Sequence, residues 1–466
     1  MNATMVAPFR HENALKIMHA AIRRVDPVGM IRDCLAVDGD QLRINTGERA
    51  ISFDLTRYDR VLVLGAGKAG ASMARGLEDV LGARITDGLV AVKYGHTGES
   101  AGTGSGRVRL WEAGHPVPDA NSLRAAREIA VLAEAADERT LCIALISGGG
   151  SALVTLPAEY ETDISVTLED IQATTQLLLG AGTPIGEINC VRKHLSGISG
   201  GRFCNMVAPS TLVALILSDV VGDELESIAS GLTAPDPTTF DDALRICRDY
   251  RIIDSLPERV RAMLEAGSRG AIPETPKPGD GVFQTVYPVL IGTNALALEA
   301  ARARAEALGY NTLVLTSRLT GEAREIARLF TGVGAEIAAR ETPLERPGCI
   351  LAGGETTVTL RGNGLGGRNQ EMALTVLAEI ADRPMAYTGV TFLSFGTDGN
   401  DGPTDAAGGW ASAKIAREVE QGPGRGALAR ALAGNDSYYF LESVGALLKT
   451  GPTNTNVCDI QVLLVE

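Results

Sequence analysis

Several short segments of this 466-residue chain place a lysine, arginine, aspartate or serine among glycines directly after an apolar run. In α/β proteins that is where backbone N–H groups and side-chain cations meet an anionic ligand. The first is Gly65-Ala66-Gly67-Lys68-Ala69-Gly70, behind the run RVLVL at 60–64. It fits the GxGxxG dinucleotide pattern, which also needs an acidic residue about 20 positions on to hold the ribose hydroxyls. The next strand-like run, 88–92, ends on Lys93 and Tyr94, so that acid is missing. Ala69, where a Walker A loop needs Ser or Thr, excludes that motif too. What remains is a glycine loop at a helix N-terminus with Lys68 inside it: an anion site, or a tight turn with an exposed lysine.

A second loop, Ser147-Gly148-Gly149-Gly150-Ser151, follows the apolar run 141–146, and its N–H groups and two hydroxyls suit a phosphate or carboxylate. Gly197-Ile198-Ser199-Gly200-Gly201 matches the GxSxG nucleophile pattern, but a hydrolase triad needs a histidine after the serine. All five histidines lie at or before His194. The preceding Asn189, Arg192, Lys193 and His194 form a basic cluster that is either an anion site or a solvated helix face. Asp219, at the end of the run 211–217, stands where open sheets bind ligands and suits Mg²⁺ or positioning of a nucleophile.

In the second half, Gly353-Gly354-Glu355-Thr356 lies between two apolar runs, and Gly366-Gly367-Arg368-Asn369-Gln370-Glu371 opens a helical stretch. Arg368 there is another candidate anion grip. Asp398 and Asp401, in DGNDG after the run 390–395, lack the EF-hand spacing and suit Mg²⁺ or ligand hydroxyls. Gly451-Pro452-Thr453-Asn454 reads as turn chemistry. The sequence has no CxxC pair and no HExxH, so a transition-metal site is not expected.

These residues need strands that end in loops and helices that begin there. Apolar runs at 60–64, 88–92, 141–146 and 211–217 alternate with helical stretches at 13–24, 69–81, 120–136 and 168–179, which predicts a parallel sheet covered on both faces. The proline-rich stretch 272–280 lacks periodicity and reads as a domain boundary. Beyond it, 286–292, the helix 295–308 and TLVLTS read as a βαβ unit, with further strands at 349–352, 356–360, 390–395 and 460–465. The fold class expected is α/β, in two domains.

The 57 acidic against 43 basic side chains give a formal net charge of -14, which argues against nucleic acid as a partner. The 54 glycines fit many tight turns and close backbone approaches. Seven scattered cysteines read as reduced, hence a cytoplasmic location. His11, Glu12 and Lys16 interrupt any export signal, and the uncharged run 141–158 carries three glycines and Pro157, so no membrane span is expected.

Taken together, GAGKAG, EAGHPVPDANS, ISGGGSAL, INCVRKHLSGISGGR, LSDVVGDELESIASG, LAGGETTVTL, GLGGRNQEMAL, SFGTDGNDGPTDAAGGW and GPTNTNVCD resemble the class II glycerate 2-kinases, in order and over nearly the whole chain. The resemblance implies an N-terminal Rossmann-like domain (1–275), a C-terminal mixed α/β MOFRL domain (285–466), and a substrate cleft between them. It implies ATP-dependent transfer of a phosphoryl group to the 2-hydroxyl of D-glycerate, with Lys68 and Arg368 as catalytic or substrate-binding groups. Gly65 and Gly67, residues 147–151, and Asn189, Arg192 and Lys193 fall on the family's loops. Glu355, Asn369, Asp398 and Asp401 are the remaining binding candidates. Asp219 is the candidate for orienting the hydroxyl, and Asp219 with Asp398 for Mg²⁺. Relatives labelled hydroxypyruvate reductase keep an NAD(P)H-dependent alternative open. The oligomeric state, monomer or homodimer, stays open as well.

Overall fold

The computed structural model describes residues 12–45, 50–97, 106–160 and 164–466. Residues 1–11, on which much of the expectation about an export signal rests, lie outside them. The chain divides into two compact units: Pro27–Ile291, and the N-terminal segment through Asp26 together with Gly292–Glu466. The sequence suggests a single cut in the proline-rich stretch, whereas the chain passes between units twice, after Asp26 and after Ile291. The opening helix α1 (Glu12–Arg24) explains the first passage. Its apolar face, Ala14, Ile17, Met18 and Ala21, is buried within the second unit.

The unit Pro27–Ile291 begins with α2 (Pro27–Cys34) and an antiparallel sheet of β1 (Leu35–Asp38), β2 (Gln41–Asn45) and β3 (Ala50–Asp54), which apolar periodicity did not announce. Then follow β4 (Arg60–Ala66), α3 (Gly70–Leu81), β5 (Asp87–Lys93), β6 (Arg109–Ala113), α4 (Ala120–Glu134), β7 (Thr140–Ile146) and the single turn α5 (Gly150–Leu153). Next come α6 (Leu168–Gly180), α7 (Ile185–His194), α8 (Arg202–Val207), β8 (Thr211–Leu217), α9 (Phe240–Asp249), α10 (Glu258–Ser268) and β9 (Val286–Gly292). The main sheet runs β6-β5-β4-β7-β8-β9, with β4 to β8 pairing in parallel.

Counted from β4, that order is 3-2-1-4-5-6, the doubly wound Rossmann arrangement, and chain direction reverses across the sheet between β4 and β7. Register puts Ala66 opposite Ile146, and Ile146 opposite Ile216, so β4, β7 and β8 end level with one another. Leu62, Leu64, Cys142, Ala144 and Ile146 join Ala125 and Ile129 of α4 in one core cluster, while α3 packs on β5 and β7. Strands buried on both faces account for the continuous apolar runs. Asp119 caps α4, its carboxylate accepting from the N–H groups of Asn121 and Ser122, as the proline-and-aspartate turn before it suggests.

The run 286–292 departs from expectation. It is not the first strand of a βαβ unit with TLVLTS but the edge strand beside β8. Pro288 cannot donate to a ladder, and an edge position tolerates it.

The other unit contains α1, α11 (Asn294–Ala307), β10 (Asn311–Leu319), α12 (Ala323–Arg340), β11 (Gly348–Gly354), α13 (Arg368–Asp382), β12 (Val390–Gly396), β13 (Gly408–Ser412), α14 (Ala413–Gln421), α15 (Gly424–Gly434), α16 (Ser437–Ser443), β14 (Leu447–Leu448) and β15 (Asp459–Val465). Its sheet, β10-β11-β15-β12-β13-β14, is mixed: β10 and β11 are parallel and the other pairs antiparallel. The run 356–360 forms no strand; Thr357 makes only an isolated bridge to Glu322. Among the described residues no helix is long and apolar enough to cross a membrane, and all seven cysteines are free thiols.

Candidate active site

At the switch point the two glycine loops lock together. The Lys68 N–H donates to Gly148 O at 2.9 Å, the Ser147 N–H to Ala66 O at 3.1 Å, and the Ala69 N–H to Ser147 Oγ at 3.1 Å. Gly67 is obligatory here. Its φ is +150°, and a Cβ would stand 2.0 Å from Ser147 Oγ.

Gly148 is held just as closely, since a Cβ on it would lie 1.8 Å from Asp219 Oδ2. Gly149, at φ +84°, has His115 Nε2 2.8 Å and Lys68 Cε 3.4 Å from the position of the missing Cβ. Lys68, residues 147–151, Asp219 and His115 therefore meet at the carboxyl ends of β4, β7, β8 and β6. The Lys68 ammonium has no partner among the described residues.

Local charge is positive around that lysine. Burial, followed by Lys68, Lys93 and His96, pushes His115 down to about 4, and burial with Lys93 and Lys68 lowers His96. Both imidazoles are neutral at pH 7. His115 was not singled out from sequence, because it follows β6, whose RLWEA carries charge at both ends and has no apolar run. A histidine directly after a strand is the signal that would have found it.

On the far side of the glycine loop, Ser151 Oγ lies 2.7 Å from Ser230 Oγ, which donates to Asn189 Oδ1 at 3.4 Å. Ala229 and Ser230 both adopt left-handed backbone, φ 49° and 54°, a conformation that side-chain-bearing residues hold only when their surroundings enforce it. Asn189 thus joins the site.

Lys193 does not join it: its ammonium is 2.8 Å from Asp236 Oδ1, with both side chains buried. Asp236 also accepts from Thr238 and Thr275. Lys193 is a structural cation, not a ligand-holding one. His194 is likewise enclosed, 3.2 Å from Glu274.

In the other unit, Arg368 grips Asp459 in bidentate fashion, at 2.5 and 2.9 Å, and lies 2.8 Å from Glu355. Burial opposes its charge, but Asp459, Glu355 and Asp401 more than offset that and raise its pKa. It is not a free fork: two of its N–H groups donate to Asp459, and Glu355 forms an ion pair with it. Asn369 Nδ2 donates to Asp401 and its Oδ1 accepts from Ser394, so it is fully buried structure.

Asp401 corrects the expectation for DGNDG. It is 2% exposed and caps α13, accepting from the backbone N–H groups of Asn369 and Gln370. Burial, then Asp459, pushes it up to about 6. Its two oxygens are taken up by the start of α13. Asp398 accepts from the Asn400 N–H at 2.9 Å. Among the described residues no group of three or more His, Cys, Asp or Glu side chains could hold a metal.

A doubly wound sheet whose switch point gathers a lysine loop, a triple-glycine loop and an aspartate defines an α/β enzyme that handles small anionic ligands. Comparison with known proteins narrows that class. The family described as Domain of unknown function (DUF4147) matches residues 13–265, and the MOFRL family matches residues 348–459. The chain is 40% identical over 463 residues to the glycerate 2-kinase of Pyrococcus horikoshii, covering 99% of this chain and 98% of that protein. It superposes on the crystal structure of glycerate kinase from Thermotoga maritima with a TM-score of 0.83 at 37% identity, covering 98% and 99% of the two chains. A protein of Agrobacterium vitis with a provisional hydroxypyruvate reductase name is 39% identical over 409 residues, 87% of each chain. The chain belongs to the class II glycerate 2-kinase family.

Proposed function

We propose that this protein catalyses ATP-dependent phosphorylation of D-glycerate at its 2-hydroxyl, giving 2-phosphoglycerate and ADP. The observation that carries the reading is the unpaired Lys68 ammonium beside the 147–151 loop and Asp219, at the level ends of adjacent parallel strands. Phosphoryl transfer asks for that equipment, positive charge and alignment, and not for a covalent nucleophile. The names of the kinase relatives support the same activity.

In the reaction the 2-hydroxyl oxygen bonds to the γ-phosphorus, the bridging bond to ADP breaks, and the hydroxyl proton is released. Lys68 neutralises charge on the transferring group, residues 147–151 offer N–H groups and hydroxyls, and Asp219 accepts from the 2-hydroxyl and orients it. Arg368, paired with Asp459 and Glu355, stays a candidate anion-binding group of the other unit. Mg²⁺ enters with the nucleotide phosphates in this reading, and no step is assigned to it. Asp398 stays a candidate for a ribose hydroxyl, and the free thiols support a cytoplasmic location.

The reductase reading is disfavoured by the end of β5. Where a dinucleotide fold needs a carboxylate, this chain has Lys93. Parallel assays on the purified protein decide: ADP release with D-glycerate, ATP and Mg²⁺, against NAD(P)H loss with hydroxypyruvate. Glycerate-dependent ADP release alone is expected; NAD(P)H loss alone overturns the proposal.

A further inference from the structure

One cation of the α7 segment is left over once its neighbours are paired. Lys193 is matched to Asp236 and His194 to Glu274. Arg202 donates to Lys193 O, Ser196 O and Tyr160 Oη. Arg192, mostly buried, has no partner among the described residues, and its pKa is lowered by burial alone. A desolvated guanidinium without a counter-charge is strongly unfavourable, and a group of that kind is retained where an anion arrives to meet it.

Its position says which anion. Arg192 stands one helical turn after Asn189 on the same side of α7. Asn189 leads through Ser230 to Ser151 at the end of the glycine loop, and the same loop touches Lys68 and Asp219. The Asn189 amide nitrogen also lacks a partner among the described residues. A guanidinium fork and an amide donor, both unpaired among the described residues, therefore lie near the Ser230 hydroxyl, which left-handed backbone at 229 and 230 holds, and the Ser151 hydroxyl bonded to it. A small acid bearing both a carboxylate and hydroxyls matches that set. A planar fork suits a planar carboxylate, and a point-charge ammonium such as that of Lys68 suits a transferring phosphoryl group.

Resting on the kinase reading, we propose that Arg192 is the specificity residue that grips the carboxylate of the hydroxy-acid acceptor, with Asn189, Ser151 and Ser230 bonding to its oxygens. Arg368 is thereby relieved of that role.

The test is steady-state kinetics of the full-length protein with Arg192→Ala and Arg192→Lys. In Arg192→Ala the KM for D-glycerate is expected to rise on the order of 100-fold, with the KM for ATP held and the melting temperature not lowered, since the variant removes an unpaired buried charge. Arg192→Lys should recover only part of the loss, because an ammonium cannot fork, and added guanidinium ion should partly rescue Arg192→Ala. A raised KM for ATP in place of that for D-glycerate, full recovery in the lysine variant, or an unchanged KM for D-glycerate overturns the proposal. Wild-type protein that releases no ADP with D-glycerate overturns the kinase reading instead. The subsite is then read by thermal shift with D-glycerate and lactate: carboxylate-dependent stabilisation of the wild type that Arg192→Ala abolishes upholds it, and no such difference sinks it.

Discussion

Gly148→Ala is the most informative single perturbation of this site. A methyl group built there lies 1.8 Å from Asp219 Oδ2 and 2.4 Å from its Cγ. Bringing that pair to the 3.4 Å of ordinary contact means moving the carboxylate or the loop by ~1.6 Å. The backbone cannot give easily, because Lys68 N–H is bonded to Gly148 O and the neighbouring Gly67 has no room against Ser147. Displacement of a reacting group by about 1 Å can cost on the order of 100-fold in rate, and the forced overlap should cost roughly 1–3 kcal/mol of stability. Turnover followed by ADP release, with denaturant unfolding on the same samples, measures both. The decisive sample is the double variant with Asp219→Ala, which removes the obstructing carboxylate. Its stability should exceed the sum of the two single effects by about 1 kcal/mol or more, while activity stays low. Gly148→Ala with wild-type turnover, or single losses that add without coupling, would refute the reasoning.

Three further outcomes are expected. Lys68→Ala should lower kcat by roughly 1,000-fold while leaving the melting temperature nearly unchanged, since its ammonium holds nothing in the described structure; turnover near that of the wild type removes Lys68 from the mechanism. Lys193→Ala should cost about 3–5 kcal/mol in denaturant unfolding by stranding the buried Asp236, and a stable variant with only a raised KM would return Lys193 to the ligand site. His115, at about 4 when folded against the ordinary 6.5, takes up its proton later than the unfolded chain does. It therefore withdraws stability as pH falls from about 6.5 to 4, and its NMR titration midpoint should lie near 4; a midpoint near 6.5 contradicts its burial and the crowding by Lys68 and Lys93.

What the sequence made legible follows from where the strands lie. β4, β7 and β8 are buried on both faces, so each is an unbroken apolar run, and the loop after each run carries the candidate site residues Lys68, Ser147 and Asp219. The buried antiparallel strands β12 and β15 carry the same mark, whereas other strands carry it weakly or not at all. β6 is bracketed by Arg109 and Glu112, β13 opens on two glycines, and β9 contains Pro288. The least legible features are long-range pairings. Arg192 and Lys193 are adjacent and look equivalent, yet Lys193 meets Asp236 43 residues later and Arg192 meets no carboxylate among the described residues. Asp401 looks like a loop ligand until α13, 32 residues earlier, is found resting its N–H groups on it. Spacing along the chain reports neither meeting.

The two passages of the chain between its units also bear on how it leaves the ribosome. Pro27–Ile291 is continuous and can close as soon as it has emerged. α1 cannot, because its partner α11 and the Asn13 contact, the Tyr310 hydroxyl, are made some 270 residues after it, a wait of some tens of seconds at ordinary elongation rates. During that interval a helix with Ala14, Ile17, Met18 and Ala21 on one face is synthesised but unpartnered. A nascent chain arrested before residue 294 should therefore protect the Lys68 loop from protease while α1 is still cut, and a fragment beginning at 285 should expose the side of α11 that α1 covers.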